Sequence, residues 1–74
     1  MTEIEAQLAA EALIATLDMR GHTATFVEAK PRVRYPGEWS AIFDVFSLEG
    51  TPVDGPMVVI VDEITKQARI MESP

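Results

Sequence analysis

The sequence predicts a single small α+β domain over residues 1–74, with one N-terminal helix packed on a three- to four-stranded antiparallel sheet. The first twenty residues are rich in alanine and leucine and contain neither proline nor glycine, which is typical of a helix. The rest of the chain is enriched in β-branched and aromatic residues separated by turn signals, which is typical of strands. Because the predicted loops are short and 74 residues support only one core, we expect an α-β-β-β-β meander in two layers.

The helix is predicted over residues 2–20. Thr2 and Glu5 have the spacing of a capping box, and acidic side chains in the first turn are favoured by the helix dipole. Gly21 follows and can take the left-handed conformation that ends a helix.

Four strands are predicted, and proline and glycine mark the turns between them. Pro31 cannot donate to a strand ladder, so the first strand is expected at an edge or with a bulge. The predicted strands cover residues 23–34, 38–48, 56–62 and 67–72.

Alternation assigns two faces to the first two strands. The first strand is predicted to have one apolar and one charged face, whereas both faces of the second are substantially apolar. The apolar face of the first strand contains Val27, Ala29, Val33 and Tyr35; in the second, Trp39, Ala41, Phe43 and Val45 lie opposite Ile42, Phe46 and Leu48.

The helix also carries two apolar stripes, although a surface helix needs only one. Both stripes together could cover a wide curved sheet, or one could form an interface with a second copy or with another protein. We expect a homo-oligomer that uses surplus apolar residues of the helix and second strand. The stripes are Ala6, Ala10, Leu13, Ile14 and Leu17, and Ile4, Leu8, Ala12, Ala15 and Met19; the expected self-association residues are Ile4, Leu8, Met19, Ile42 and Phe46.

A basic stripe of Lys30, Arg32 and Arg34 stands out in a chain that is otherwise acidic. These side chains could pair with acids such as Glu38 or Asp44, or protect a strand edge from aggregation. They could instead dock an anionic ligand or an acidic partner surface, since arginine binds carboxylates bidentately and aromatic residues anchor interfaces. If the stripe is a docking site, the expected partner-binding residues are Arg32, Arg34, Tyr35 and Trp39.

Charge and composition disfavour several other classes of function. A net charge of −6 opposes binding to nucleic acid or anionic lipid, and no apolar stretch is long enough for a membrane span. The N-terminus lacks the basic region of a signal peptide, so none is expected. The absence of cysteine fits the cytoplasm, which is the expected location.

Residues capable of catalysis are present but form no known motif. His22 is the only histidine, and a triad would have to use Ser40, Ser47 or Ser73, none of which lies in a nucleophile elbow. Asp62 and Glu63 have the appearance of turn residues. We therefore expect no enzymatic activity, no metal site and no cofactor.

Two segments resemble a known family. The strand Trp39-Ser40-Ala41-Ile42-Phe43 and the later Gly55–Thr65 segment, ending in Val61-Asp62-Glu63-Ile64-Thr65, are similar to those of the YrhB-type small bacterial toxin-immunity proteins. Lys66 stands where that group has glycine. The resemblance implies an inhibitory binding protein without catalysis, and an acidic surface would suit a basic nuclease-like toxin.

The sequence thus leads to two hypotheses. The first is a non-enzymatic protein-interaction module, of the inhibitor or immunity type, that acts as a homo-oligomer. The alternative is a ligand-binding or enzymatic domain whose site is completed at a dimer interface, with the four partner-binding residues around a shared cleft.

Overall fold

The computed structural model describes residues 1–71 and confirms the predicted α+β fold. One helix precedes a four-stranded antiparallel sheet whose spatial order is β1-β2-β3-β4, a simple meander. The predicted end of the fourth strand at Glu72, and Ser73, lie outside the described residues. The elements are α1 (Glu3–Ile14), β1 (Thr23–Pro31), β2 (Glu38–Phe46), β3 (Met57–Asp62) and β4 (Ala68–Ile70).

The start of α1 follows the predicted capping box. The Glu5 amide donates to Thr2 Oγ1 at 3.2 Å, and the Thr2 amide donates to Glu5 Oε1 at 2.8 Å. The Thr2 amide, followed by the nearby Lys66 charge, lowers the pKa of Glu5. Two amides that the helix itself leaves unpaired are thereby satisfied.

The predicted end of the helix is wrong: α1 stops at Ile14, six residues before Arg20. The hydroxyl of Thr16 donates to the Leu13 carbonyl at 2.7 Å, and the Thr16 amide bonds the same carbonyl in a tighter turn. Such side-chain bonding competes with helix continuation. Arg20 and Gly21 both have positive φ, so Gly21 reverses the chain at the end of a connecting loop instead of capping the helix.

The predicted apolar face of β1 is also wrong in part, because a bulge lies between Phe26 and Glu28. The extra residue shifts the alternation, so Ala24, Phe26 and Ala29 share the helix-facing side, whereas Val27 is 50% exposed. Val33 and Tyr35 lie beyond the strand in the β1–β2 turn and are exposed.

The edge position of β1 agrees with the interpretation of Pro31. The Arg32 amide donates to the Glu38 carbonyl, so alternation directs the backbone of Ala29 and Pro31 away from β2. The Ala29 amide donates to the Glu3 carboxylate at 3.1 Å, and Pro31 has no N–H. This part of the edge therefore offers no free donor to another strand.

The core lies between α1 and one face of the sheet, the inner face. The helix approaches through its smallest residues, Ala6 and Ala10, which are fully buried, and this identifies the stripe that faces the sheet. Phe26 and Phe43 pack edge to face with centroids 5.6 Å apart. The buried core residues are Ala6, Ala10, Ala29, Ala41, Phe43, Val59 and Val61.

The opposite, outer face of the sheet is not covered by α1. The strand registers place Ser40, Ile42 and Phe46 of β2 on it, beside Val58 and Ile60 of β3. Ile60 is only 2% exposed although it is on this face, between Ser40 and Arg69 in the register. Within residues 1–71, no helix has both the length and the apolar character needed to cross a membrane.

Candidate basic groove and apolar surfaces

A groove on the outer face contains all three residues of the predicted basic stripe. It has a volume of about 400 Å³ and is formed where the β1–β2 turn meets the ends of β1 and β4. The register pairs Lys30 with Ser40, so the Ser40 side chain lies next to Lys30 on the outer face. Its lining residues are Lys30, Pro31, Arg32, Val33, Arg34, Tyr35, Ser40 and Met71.

Arg32 is held in position from two sides. Its Nη1 donates to Glu38 Oε1 at 2.7 Å, and its guanidinium carbon lies 4.0 Å from the centroid of the Tyr35 ring. Arg69 Nη2 binds the other Glu38 oxygen at 3.3 Å. The predicted pairing of the basic stripe with Glu38 is thus confirmed for Arg32, and the network fixes the plane of its guanidinium.

The other two cations of the groove are less constrained. Lys30 lies 3.9 Å from Glu28 on the same exposed strand, a contact too long for a hydrogen bond. Arg34 is exposed, and no acidic side chain within residues 1–71 forms an ion pair with it. Both can therefore reorient toward an anion with little loss of existing contacts.

The structure brings Arg32, Arg34 and Tyr35 together but separates Trp39 from them. Trp39 pairs with Val61 on the inner face and packs against the core. Its Nε1 donates to Glu63 Oε1 at 3.2 Å, and the Met1 ammonium group binds the same oxygen. These two donors, with Trp39 first, lower the pKa of Glu63.

The five expected self-association residues lie on different surfaces. Ile4 and Leu8 are on the outward side of α1 and are 67% and 61% exposed. Ile42 and Phe46 are half-buried on the outer face of the sheet, and Met19 is half-buried in the loop after α1. We call the outward row of Ile4, Leu8, Ala12 and Ala15 the helix ridge; Ala12 and Ala15 are also exposed.

The residues considered for catalysis have structural contacts. His22 Nδ1 lies 3.0 Å from the Met19 carbonyl, and Ser47 accepts from the Thr51 amide within its turn. Asp62 Oδ1 accepts from the Ile64 and Thr65 amides at 2.9 and 2.8 Å, as expected of a turn residue. Among residues 1–71, no group of three or more histidine and carboxylate side chains is arranged to hold a metal ion.

The sequence does not indicate four residues of the groove as site residues: Pro31, Val33, Ser40 and Met71. It predicts Ser40 only as a strand residue and candidate nucleophile, and Met71 only as part of the last strand. The missing signal was the register: once β1 and β2 are aligned, Lys30 is opposite Ser40, and the Met71 amide bonds the Val58 carbonyl.

Comparisons with protein-family models, curated proteins and solved structures find no match to this chain.

Proposed function

We propose that this domain is a non-enzymatic protein-interaction module that acts as a homo-oligomer. The observation that carries the proposal is the second apolar face of α1, which points away from the sheet while Leu13 and Ile14 pack against the core. The helix buries Ala6 and Ala10 completely, whereas its larger Ile4 and Leu8 are 67% and 61% exposed. Burying the exposed part of these two side chains in an interface is favourable by about 1–2 kcal/mol each, so the helix ridge is suited to association.

A second copy is the occupant that the helix ridge suits best. Two copies related by a twofold axis would bring ridge against ridge, and the small side chains of Ala12 and Ala15 would allow the two helices to approach closely. The half-buried Ile42 and Phe46 lie apart from the helix ridge, on the outer face of the sheet. A module built this way would present its acidic groups around the assembled surface.

We propose that the module acts as an inhibitor or immunity protein, the role that the family resemblance implies. The net charge is −6, and exposed acidic residues occur on the helix, in the α1–β1 loop and in the β2–β3 loop. Such a surface supports binding to a basic protein through charge complementarity. The contacts of His22, Ser47 and Asp62 support structural roles for these residues. We assign the module to the cytoplasm because its sequence contains no cysteine.

Sedimentation velocity between about 1 and 100 µM tests self-association, because assembly must follow mass action. We expect wild type to sediment above the mass of one chain at the upper concentrations. Ile4→Gln and Leu8→Gln should shift it toward the monomer. Ile64→Gln is the matched control, because Ile64 is an isoleucine 86% exposed in the β3–β4 turn, outside the helix ridge.

The outcomes separate the parts of the proposal. A wild-type protein that remains monomeric over the whole range contradicts the homo-oligomer. Assembly that survives Ile4→Gln and Leu8→Gln but is lost in Ile42→Thr would move the interface from the helix ridge to the outer face of the sheet. Equal loss in the Ile64→Gln control would show that surface hydrophobicity in general, and not the helix ridge, drives association.

A further inference from the structure

The basic groove has chemistry that self-association through the helix ridge does not use. Three of the six basic residues of the chain line it, within five sequence positions, although acidic residues outnumber basic ones two to one. Such a concentration lowers the energy of an anion at this end of the sheet despite the unfavourable net charge.

The cations of the groove differ in a way that suits ligand binding. Arg32 is already oriented by Glu38 and Tyr35, so its remaining donors need no reordering before an anion binds. Arg34 and Lys30 are exposed and retain their donors, and Ser40 adds a hydroxyl opposite Lys30. A fixed guanidinium beside two adaptable cations supplies the charged donors that a carboxylate or phosphate accepts.

The remaining walls of the groove are apolar. Val33, Tyr35 and Met71 contribute a valine side chain, an aromatic ring and a thioether, and all three are exposed. A fully hydrated inorganic anion would gain nothing from these walls, whereas an anion attached to an apolar body would bury surface against them.

We propose that the groove is a binding site for a small organic anion, a carboxylate or phosphate carried on an apolar body. Arg34 and Lys30 supply the adaptable charge, Arg32 supplies the oriented donors, and Val33, Tyr35 and Met71 contact the apolar part. The site lies on the outer face and is independent of the helix ridge.

Amide chemical-shift titration of the ¹⁵N-labelled protein tests this inference. The probes are phenyl phosphate and phenylacetate, with inorganic phosphate and the neutral benzyl alcohol as controls, each added up to about 10 mM, which detects binding in the millimolar range. We expect phenyl phosphate or phenylacetate to shift the amides of residues 30–35 and Ser40. The two controls should shift them much less.

Two variants supply the mutational test. Arg34→Gln should weaken binding of the organic anion about tenfold, since it removes a charge-assisted contact at a partly exposed site. Arg20→Gln is the matched control, because Arg20 lies in the loop after α1 and does not line the groove; it should bind like wild type. Both spectra should retain wild-type dispersion, which verifies the fold.

The following results would contradict the inference. No localised shifts at the highest concentration, equal shifts with benzyl alcohol, or equal affinity of Arg34→Gln and wild type would exclude an anion site in the groove. Stronger binding of inorganic phosphate than of phenyl phosphate would show that the apolar walls have no part in recognition. None of these results bears on the oligomeric state, which sedimentation measures separately.

Discussion

Lys66→Gly should stabilise the domain, because Lys66 occupies a left-handed conformation in the β3–β4 turn. Its φ is +63°, and its amide bonds the Asp62 carbonyl to close the turn. A left-handed residue with a side chain costs about 1–2 kcal/mol, and glycine avoids that cost. Glycine loses about 0.5–1 kcal/mol more conformational freedom on folding, so the expected net gain is about 0.5–1 kcal/mol.

Lysine also contributes a charge near Glu5 and Glu63, whose pKa values it helps to lower. Lys66→Ala is therefore the control, because it removes the charge and keeps the strained backbone. Urea unfolding followed by Trp39 fluorescence, at one fixed protein concentration, gives the free energy of unfolding of all three proteins. In thermal unfolding followed by the same fluorescence, the midpoint of Lys66→Gly should exceed that of Lys66→Ala by about 4 °C.

The comparison of the two variants shows whether the positive φ of Lys66 costs stability. If Lys66→Gly is no more stable than Lys66→Ala, the positive φ carries no cost and the reasoning is refuted. If both variants are less stable than wild type by the same amount, the lysine charge is the dominant contribution at this position.

Three further changes test the helix and the turn. Thr2→Ala should lower the free energy of unfolding by about 1 kcal/mol in urea unfolding, because the capping hydroxyl is lost. Ala10→Leu should cost about 1–3 kcal/mol in the same assay by overpacking the helix–sheet contact. The backbone amides of Thr65, then Ile64, lower the pKa of Asp62. Stability present above the ordinary aspartate pKa should therefore fall as pH drops below about 4, and Asp62→Asn should flatten this decline in urea midpoints measured from about pH 6 to pH 3.

The fold could be predicted because its signals are local. The capping box fixed the start of α1, and the short loops required neighbouring strands to pair in sequence order. The end of α1 could not be predicted because the competing hydrogen bond of Thr16 has no unique sequence signal. The bulge beside Val27 also lacked a glycine, and one extra residue reversed the expected orientation of that side chain.

The groove was predictable only in part, for a similar reason. Arg32, Arg34 and Tyr35 are close in sequence, so any tight turn after β1 would bring them together. Trp39 follows soon after in the chain, but the alternation of β2 places it with Ala41 on the inner face. Ser40 and Met71 depend on strand register: the β1–β2 turn sets Lys30 opposite Ser40, and the β3–β4 turn brings the Met71 amide to the Val58 carbonyl.

The alanines of α1 explain why the apolar excess seen in the sequence persists on the surface. The first two turns of the helix approach the sheet through Ala6 and Ala10 and bury little side-chain area there, whereas Leu13 and Ile14 pack against the core further along. The larger Ile4 and Leu8 are thereby left on the far side, where isoleucine gains nothing from its modest helix propensity. Helix propensity accounts for Leu8 but not for Ile4, whereas the proposed contact with a second copy would bury both. For this reason the helix ridge, and not the more hydrophobic β2, carries the proposal of self-association.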